Sequence, residues 1–192
     1  YWKNPGDSGG PIEISWDLPD GFSVSDIQWP LPEKIEYPPL MTYGYEDFVI
    51  YPMILTIPDN YQEDGFEMVA DILICADVCI PESGKISSNL LEIESDSLIY
   101  EWLESIPSKS IPIQTSIRNN ILEIEFTFEK EVKEIYFFPD ENRSIDYSSN
   151  QNFYKNDDSY LLSIDLFDGE LQSISGVLDI DGTGYNVSSS GV

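Results

Sequence analysis

The sequence contains no histidine. That removes the commonest general base, so neither a Ser–His–Asp nor a Cys–His nucleophile can be assembled from it. Basic residues are scarce as well: nine Lys and Arg stand against 36 Asp and Glu, a formal charge of -27. Nucleic acid binds to a basic footprint, and none exists here. Binding to anionic lipid headgroups is unfavourable for the same reason. No stretch approaches the roughly 20 continuous apolar residues of a membrane-spanning helix. Residues 1–6 lack the apolar centre of a signal peptide, and the numbering starts at a tyrosine. The chain is therefore expected to be a mature or excised part of a longer precursor. Cysteine is nearly absent too, with only Cys75 and Cys79, four positions apart. A small secreted scaffold held by disulfides would carry more, over longer loops. A bridge closing so short a loop gives little entropic stabilisation.

What is present is aromatic and acidic. Twelve Tyr, nine Phe and four Trp in a chain that is 41% apolar argue for a packed core and against disorder. The acid is spread along the chain, which reads as a solvated surface that keeps the protein soluble, with steering of basic partners as the alternative. Ile12, Ile14, Trp16 and Leu18 alternate with Glu13, Ser15 and Asp17, the period of a strand with one buried face. Residues 66–75 form the most apolar strand and are expected to run into the core. Residues 48–57 read as a strand region broken by Pro52, residues 43–47 as a turn, and residues 90–94 as a further strand. Leu98, Ile99, Trp102, Leu103 and Ile106 recur at helical spacing. Ser95 or Asp96 caps this helix, Pro107 stops it, and its stripe should pack on a sheet. Residues 108–113 read as a linker. Beyond it, Leu122, Ile124, Phe126 and Phe128 alternate with Glu and Thr, residues 132–138 form another strand, and Leu162, Ile164 and Leu166 share a face. Residues 177–187 read as a hairpin around Gly182-Thr183-Gly184. Each half is a set of short strands that must bury one face against another sheet. The fold class expected is all-β, with two β-sandwich domains, residues 1–109 and 110–192, and one short helix near the end of the first.

The chemistry centres on the two thiols. At C-x3-C after a strand they come within disulfide reach if the turn sets their Cα atoms about 4.4–6.8 Å apart. Such a pair holds two electrons and passes them on by thiol–disulfide exchange. Asp77 between the cysteines and Glu82 after them do not favour a thiolate, and no Lys, Arg or His lies close in sequence. A pair attacked by a more reactive partner thiolate fits that setting. The spacing alone leaves an inert disulfide, buried free thiols and a metal site open as alternatives. Two cysteines without histidine do not complete a zinc site, although two thiolates suit Cu(I). Met53 and Met68 read as core residues. Asp179-Ile180-Asp181-Gly182-Thr183-Gly184 lacks the terminal Glu of a calcium loop and reads as a hairpin turn.

Several longer motifs add up to a resemblance. Tyr1-Trp2-Lys3-Asn4-Pro5-Gly6-Asp7-Ser8-Gly9 resembles the start of the N-terminal region of DsbD-like and ScsB-like thiol:disulfide interchange proteins. The likeness continues through Trp16-Asp17-Leu18-Pro19-Asp20-Gly21, Trp29-Pro30 and Tyr43-Gly44-Tyr45. It then reaches Leu73-Ile74-Cys75-Ala76-Asp77-Val78-Cys79-Ile80-Pro81, which is similar to the family's redox segment. In the second half Tyr136-Phe137-Phe138-Pro139, Gln151 and Gly176-Val177-Leu178 resemble the ScsB-type extension, and the short C-x3-C gap favours that branch. The resemblance implies an immunoglobulin-like domain in the periplasm, within a membrane-anchored protein, acting as a protein-disulfide reductase without cofactor or metal. Cys75 and Cys79 match the redox cysteines one by one, with Cys79 as the attacker of outside disulfides. Tyr43, Tyr45 and Phe48 are expected in a loop that shields the pair, with Asp77 and Pro81 as supporting residues. The partners implied are a transmembrane or thioredoxin-like redox domain of the same or an associated protein, and periplasmic thioredoxin-fold proteins. No nucleic acid and no small-molecule substrate are expected. The alternative is a non-enzymatic β-sandwich that docks a partner or holds Cu(I), with a structural disulfide.

Overall fold

The computed structural model describes residues 1–61, 65–75, 78–89, 96–167 and 171–191. Alternating apolar residues build the second half. Strands β9 (Gln114–Arg118), β10 (Ile121–Thr127), β12 (Asn152–Asn156) and β13 (Ser159–Asp165) form one antiparallel sheet in the order β12-β13-β10-β9. A second sheet has the order β11-β14-β15-β8, from β11 (Ile135–Pro139), β14 (Ile174–Ile180), β15 (Thr183–Ser189) and β8 (Lys109–Ser110). Leu122, Ile124 and Phe126 of β10 and Tyr160, Leu162 and Ile164 of β13 are buried in one cluster with Phe137, Leu178 and Val187 of the other sheet. Burying one such side chain contributes about 1.5–3 kcal/mol, so this two-layer stack is the main store of stability. The β14–β15 hairpin turns at Asp181-Gly182, since Ile180 pairs with Thr183 and both turn residues have positive φ. An Asp-Gly pair suits that two-residue turn, which falls one position before the expected one.

The first half is built differently. β1 (Glu13–Asp17), β6 (Gly65–Cys75) and β7 (Cys79–Asn89) form an antiparallel sheet in the order β1-β6-β7. Two small pairs accompany it: β2 (Ser23–Val24) with β5 (Leu55–Thr56), and β3 (Glu33–Tyr37) with β4 (Leu40–Gly44). The fold is all-β and immunoglobulin-like, with one short helix among the described residues. That helix, α1 (Ser97–Glu104), is capped by the Asp96 carboxylate, which accepts from the Leu98 backbone N–H. Ser95 and the expected strand over residues 90–94 lie outside the described residues.

Several local expectations are corrected. β6 does not enter the core: none of its residues is buried, and Ile74 is exposed. Its neighbour β7 is a sheet edge, so no further strand covers that side of the hairpin among the described residues. The helix stripe does not lie on a sheet. Leu98, Ile99 and Leu103 remain exposed, and Trp102 packs against Tyr45 and Phe48 instead. Tyr43 and Gly44 end strand β4 and are not turn residues. Only Leu55–Thr56 of residues 48–57 is strand. Within the expected linker, β8 pairs in parallel with β15.

The N-terminal segment joins the two halves. Its backbone runs beside β4, with Trp2 N–H donating to Tyr43 O, Tyr43 N–H to Pro5 O, and Asp7 N–H to Met41 O. Gly6, at φ 78°, is required here because a Cβ would fall 2.5 Å from the Met41 carbonyl oxygen. This places Trp2 against Phe138, and the Asn4 side-chain amide donates to the carbonyls of Pro139 and Glu141. Lys3 pairs with Asp140.

Candidate functional site

Cys75 is the last residue of β6 and Cys79 the first of β7, directly opposed in the ladder. The hairpin therefore delivers the two sulfurs to each other, and they form a disulfide with S–S 2.03 Å and Cα–Cα 4.1 Å. That Cα separation is slightly below the expected range because the two residues face each other across the strands. Cys75 is half-buried and Cys79 exposed. Cross-strand partners share a face, so Leu73 with Pro81, Asp71 with Ser83, Val69 with Lys85 and Glu67 with Ser87 line the disulfide's face. Ile74, paired with Ile80, lies on the opposite face. Both isoleucines and Val78 are exposed, which gives the hairpin tip an apolar rim around the disulfide.

The electrostatics are sparse. Among the described residues no ion pair or hydrogen bond from a Lys or Arg reaches either sulfur. Lys85, on the same face, pairs with Glu67 at 2.8 Å, and hydrogen bonds from Lys85 and Ser87 hold the Glu67 carboxyl below its usual value. The polar partner of the pair comes from far away in sequence. The Tyr1 hydroxyl lies 3.9 Å from Cys79 Sγ. A disulfide sulfur carries no proton, so the phenol donates.

The other expected residues are distributed as follows. Tyr43 is fully buried, with its ring against Tyr136, Phe138 and Tyr147 and its hydroxyl 3.0 Å from that of Tyr136. Tyr45 is half-buried against Tyr51 and Trp102 and donates to Pro30 O at 2.8 Å. Phe48 is exposed, with its edge against Trp102. Pro81 sits on β7 opposite Leu73, at a sheet edge where its missing N–H does no harm. Asp77 lies outside the described residues. The structure thus brings Cys75 and Cys79 together with Pro81 close by in the ladder, and sets Tyr45 and Phe48 around Trp102. Tyr1 was not expected at the site. Its signal was present in the opening motif, but no periodicity links it to residues 78 positions away. Among the described residues no group of three or more Cys, Asp or Glu is placed to hold a metal ion.

Comparison with known proteins agrees with this architecture. Residues 1–91 match the family model described as the N-terminal region of the thiol:disulfide interchange protein DsbD. No curated protein matches the sequence. The fold superposes on the crystal structure of the N-terminal periplasmic domain of ScsB from Proteus mirabilis with a TM-score of 0.75 and 23% identity, covering 99% of this chain and 81% of that one. The matched region contains both cysteines and the strands that oppose them, so residues 1–91 are similar to the DsbD N-terminal region, within a chain that has the fold of the ScsB periplasmic domain.

Proposed function

We propose that the Cys75–Cys79 disulfide is a redox-active pair that relays electrons in the periplasm, from a membrane-embedded or thioredoxin-like redox domain to oxidised thioredoxin-fold proteins. The observation that carries this reading is the position of the disulfide. It closes the exposed tip of the β6–β7 hairpin, with Cys79 open to solvent and Cys75 half-buried behind it. A disulfide there braces a turn that the ladder already holds, and exchange needs one accessible sulfur. A donor thiolate attacks Cys79 Sγ, the S–S bond breaks, and Cys75 leaves as a thiolate. The donor's second thiol then displaces Cys79, so two electrons have passed and the donor has become a disulfide. The reverse sequence, with Cys79 attacking, reduces an acceptor. In this reading residues 1–109 are the redox unit and residues 110–192 its scaffold.

Cys75→Ser leaves Cys79 without its resolving partner. Incubated with oxidised thioredoxin-fold proteins, this variant is expected to accumulate a mixed disulfide through Cys79. The native pair should equilibrate with glutathione or thioredoxin buffers at a potential above about -300 mV, where labile disulfides lie. A lower potential together with no trapped complex would return the pair to a structural role.

A further inference from the structure

We propose that the Tyr1 hydroxyl is the hydrogen-bond donor that stabilises Cys79 as a thiolate once the pair is reduced, which makes Tyr1 a positioning residue for exchange at that sulfur. The proposal rests on the relay reading above.

The need for such a donor follows from the surrounding charge. A reactive thiolate is ordinarily supported by a nearby cation or a helix N-terminus. The charged groups on the disulfide's face of the sheet are Asp71 and Glu67 of β6, Glu13 and Asp17 of β1, and Lys85 of β7. Lys85 is engaged by Glu67. Glu82 lies on the opposite face, and Asp77 stands between the cysteines in sequence. The carboxylates on the disulfide's face oppose a further negative charge. Among the described residues the phenol of Tyr1 is the side chain hydrogen-bonded to Cys79, and such a bond favours the charged form.

Tyr1 is held in place for this. Its carbonyl accepts from the Tyr51 hydroxyl at 2.9 Å, and Tyr51 is itself packed against Trp29 and Tyr45. The next residue, Trp2, is buried and tied to β4. The Tyr1 ring occupies the space beside Gly9, where a Cβ would come within 2.3 Å of it. Gly9 has φ 96°, a conformation in which only glycine is unstrained. The ring therefore reaches the sulfur from a fixed base. Partial burial raises the Tyr1 phenol above its ordinary value, so the proton stays on oxygen through the range in which a thiol titrates.

The donor acts at a defined step. When Cys79 is displaced from a mixed disulfide it departs as a thiolate, and a leaving group of lower pKa leaves faster. When Cys79 attacks, the same hydrogen bond enlarges the fraction ionised near neutral pH.

The test uses the 192-residue chain with Cys75→Ser, so that Cys79 is its one thiol, and measures alkylation by iodoacetamide across pH. Tyr1→Phe should move the midpoint of the profile upward. A roughly tenfold smaller thiolate fraction, offset by the greater nucleophilicity of a more basic sulfur, gives a rate about threefold slower below the midpoint. Gly9→Ala keeps the hydroxyl but pushes the ring aside, and should move the profile the same way. Superimposable profiles for the Cys75→Ser chain with and without Tyr1→Phe or Gly9→Ala, at unchanged near-UV spectra, would overturn the role of Tyr1. That result would leave the relay intact so long as the native disulfide still exchanges with thioredoxin. A native disulfide that thioredoxin does not reduce would instead remove the relay, whatever the profiles show.

Discussion

The two halves of the chain use the same kind of strand for opposite ends. In the second half β10 alternates between buried and open positions, and β11 is buried along its whole length. In the first half β6 and β7 are the longest strands, yet none of their described side chains is buried. Among the described residues, every buried aliphatic or aromatic residue except Trp2, Tyr43 and some prolines comes from beyond residue 120. One half stores burial energy, and the other presents a disulfide on a long ladder. Exchange at a sulfur requires access, and access is incompatible with the dense packing that stabilises a core. The N-terminal segment reconciles the two, since it lies against β11 through Trp2 and Asn4 and reaches Cys79 through Tyr1.

The largest test of this contrast is a pair of truncations. Leu178 is fully buried, and Leu178→Ala should cost about 2–5 kcal/mol through lost transfer energy and the cavity left behind. Ile80 is exposed at the hairpin tip, and Ile80→Ala should change stability by less than about 0.5 kcal/mol while slowing exchange with a protein partner. Urea unfolding measures the first effect and exchange kinetics the second. A large stability loss at Ile80 would mean that the tip is packed after all.

How much of this was legible in the sequence depended on burial. β10 and β13 could be read because every second side chain enters the core. β9, β12 and β7 could not: Asn152–Asn156 is exposed apart from Phe153, and residues 79–87 are exposed throughout. A strand with no buried face has no hydrophobic period to read, and Pro81 and Gly84 further disguised β7. The helix was legible from its cap and spacing, but its packing was not, because Trp102 alone carries the aromatic contacts that dock it. The cysteines were legible because there are two of them at a spacing that a hairpin closes. Tyr43 was in the motif, but its place was set by the N-terminal segment beside β4, a pairing between distant residues with no local signature. Tyr1 was hidden for the same reason.

A middle-sized effect should come from the tyrosines where the halves meet. Burial pushes Tyr136 up to about 12, and burial with Tyr136 alongside raises Tyr43 well above its ordinary value. Within the first half, away from that junction, burial takes Tyr51 to about 12 as well. A folded pKa above the unfolded one means that the stabilising difference is fully present below about pH 10 and is lost as pH rises through about 12. The fold should therefore hold through ordinary tyrosine titration and give way above it, with phenolate absorbance and circular dichroism changing together. Tyr43→Phe leaves the Tyr136 hydroxyl without that partner and should cost about 1–2 kcal/mol at neutral pH. If the interface tyrosines ionise near pH 10 with the fold intact, the halves are joined less tightly than these contacts require.

The smallest effect is expected at the ion pair on the exposed hairpin. Lys85 and Glu67 stand diagonally across the β6–β7 ladder at 2.8 Å, both open to solvent. Hydrogen bonds from Lys85 and then Ser87 lower the Glu67 carboxyl. A depressed folded pKa contributes stability above the unfolded value, and that contribution is lost as pH falls through the folded one. Exposure screens the pair, so the contribution is small. Lys85→Met should return the Glu67 titration, followed by NMR, towards that of an ordinary glutamate and leave the unfolding midpoint at neutral pH almost unmoved. The exchange rate of the disulfide should hold as well, because Lys85 is already engaged by Glu67 and lends no charge to Cys79. A slower exchange in Lys85→Met would show that this lysine supports the thiolate from along the sheet, and would divide with it the role assigned to Tyr1.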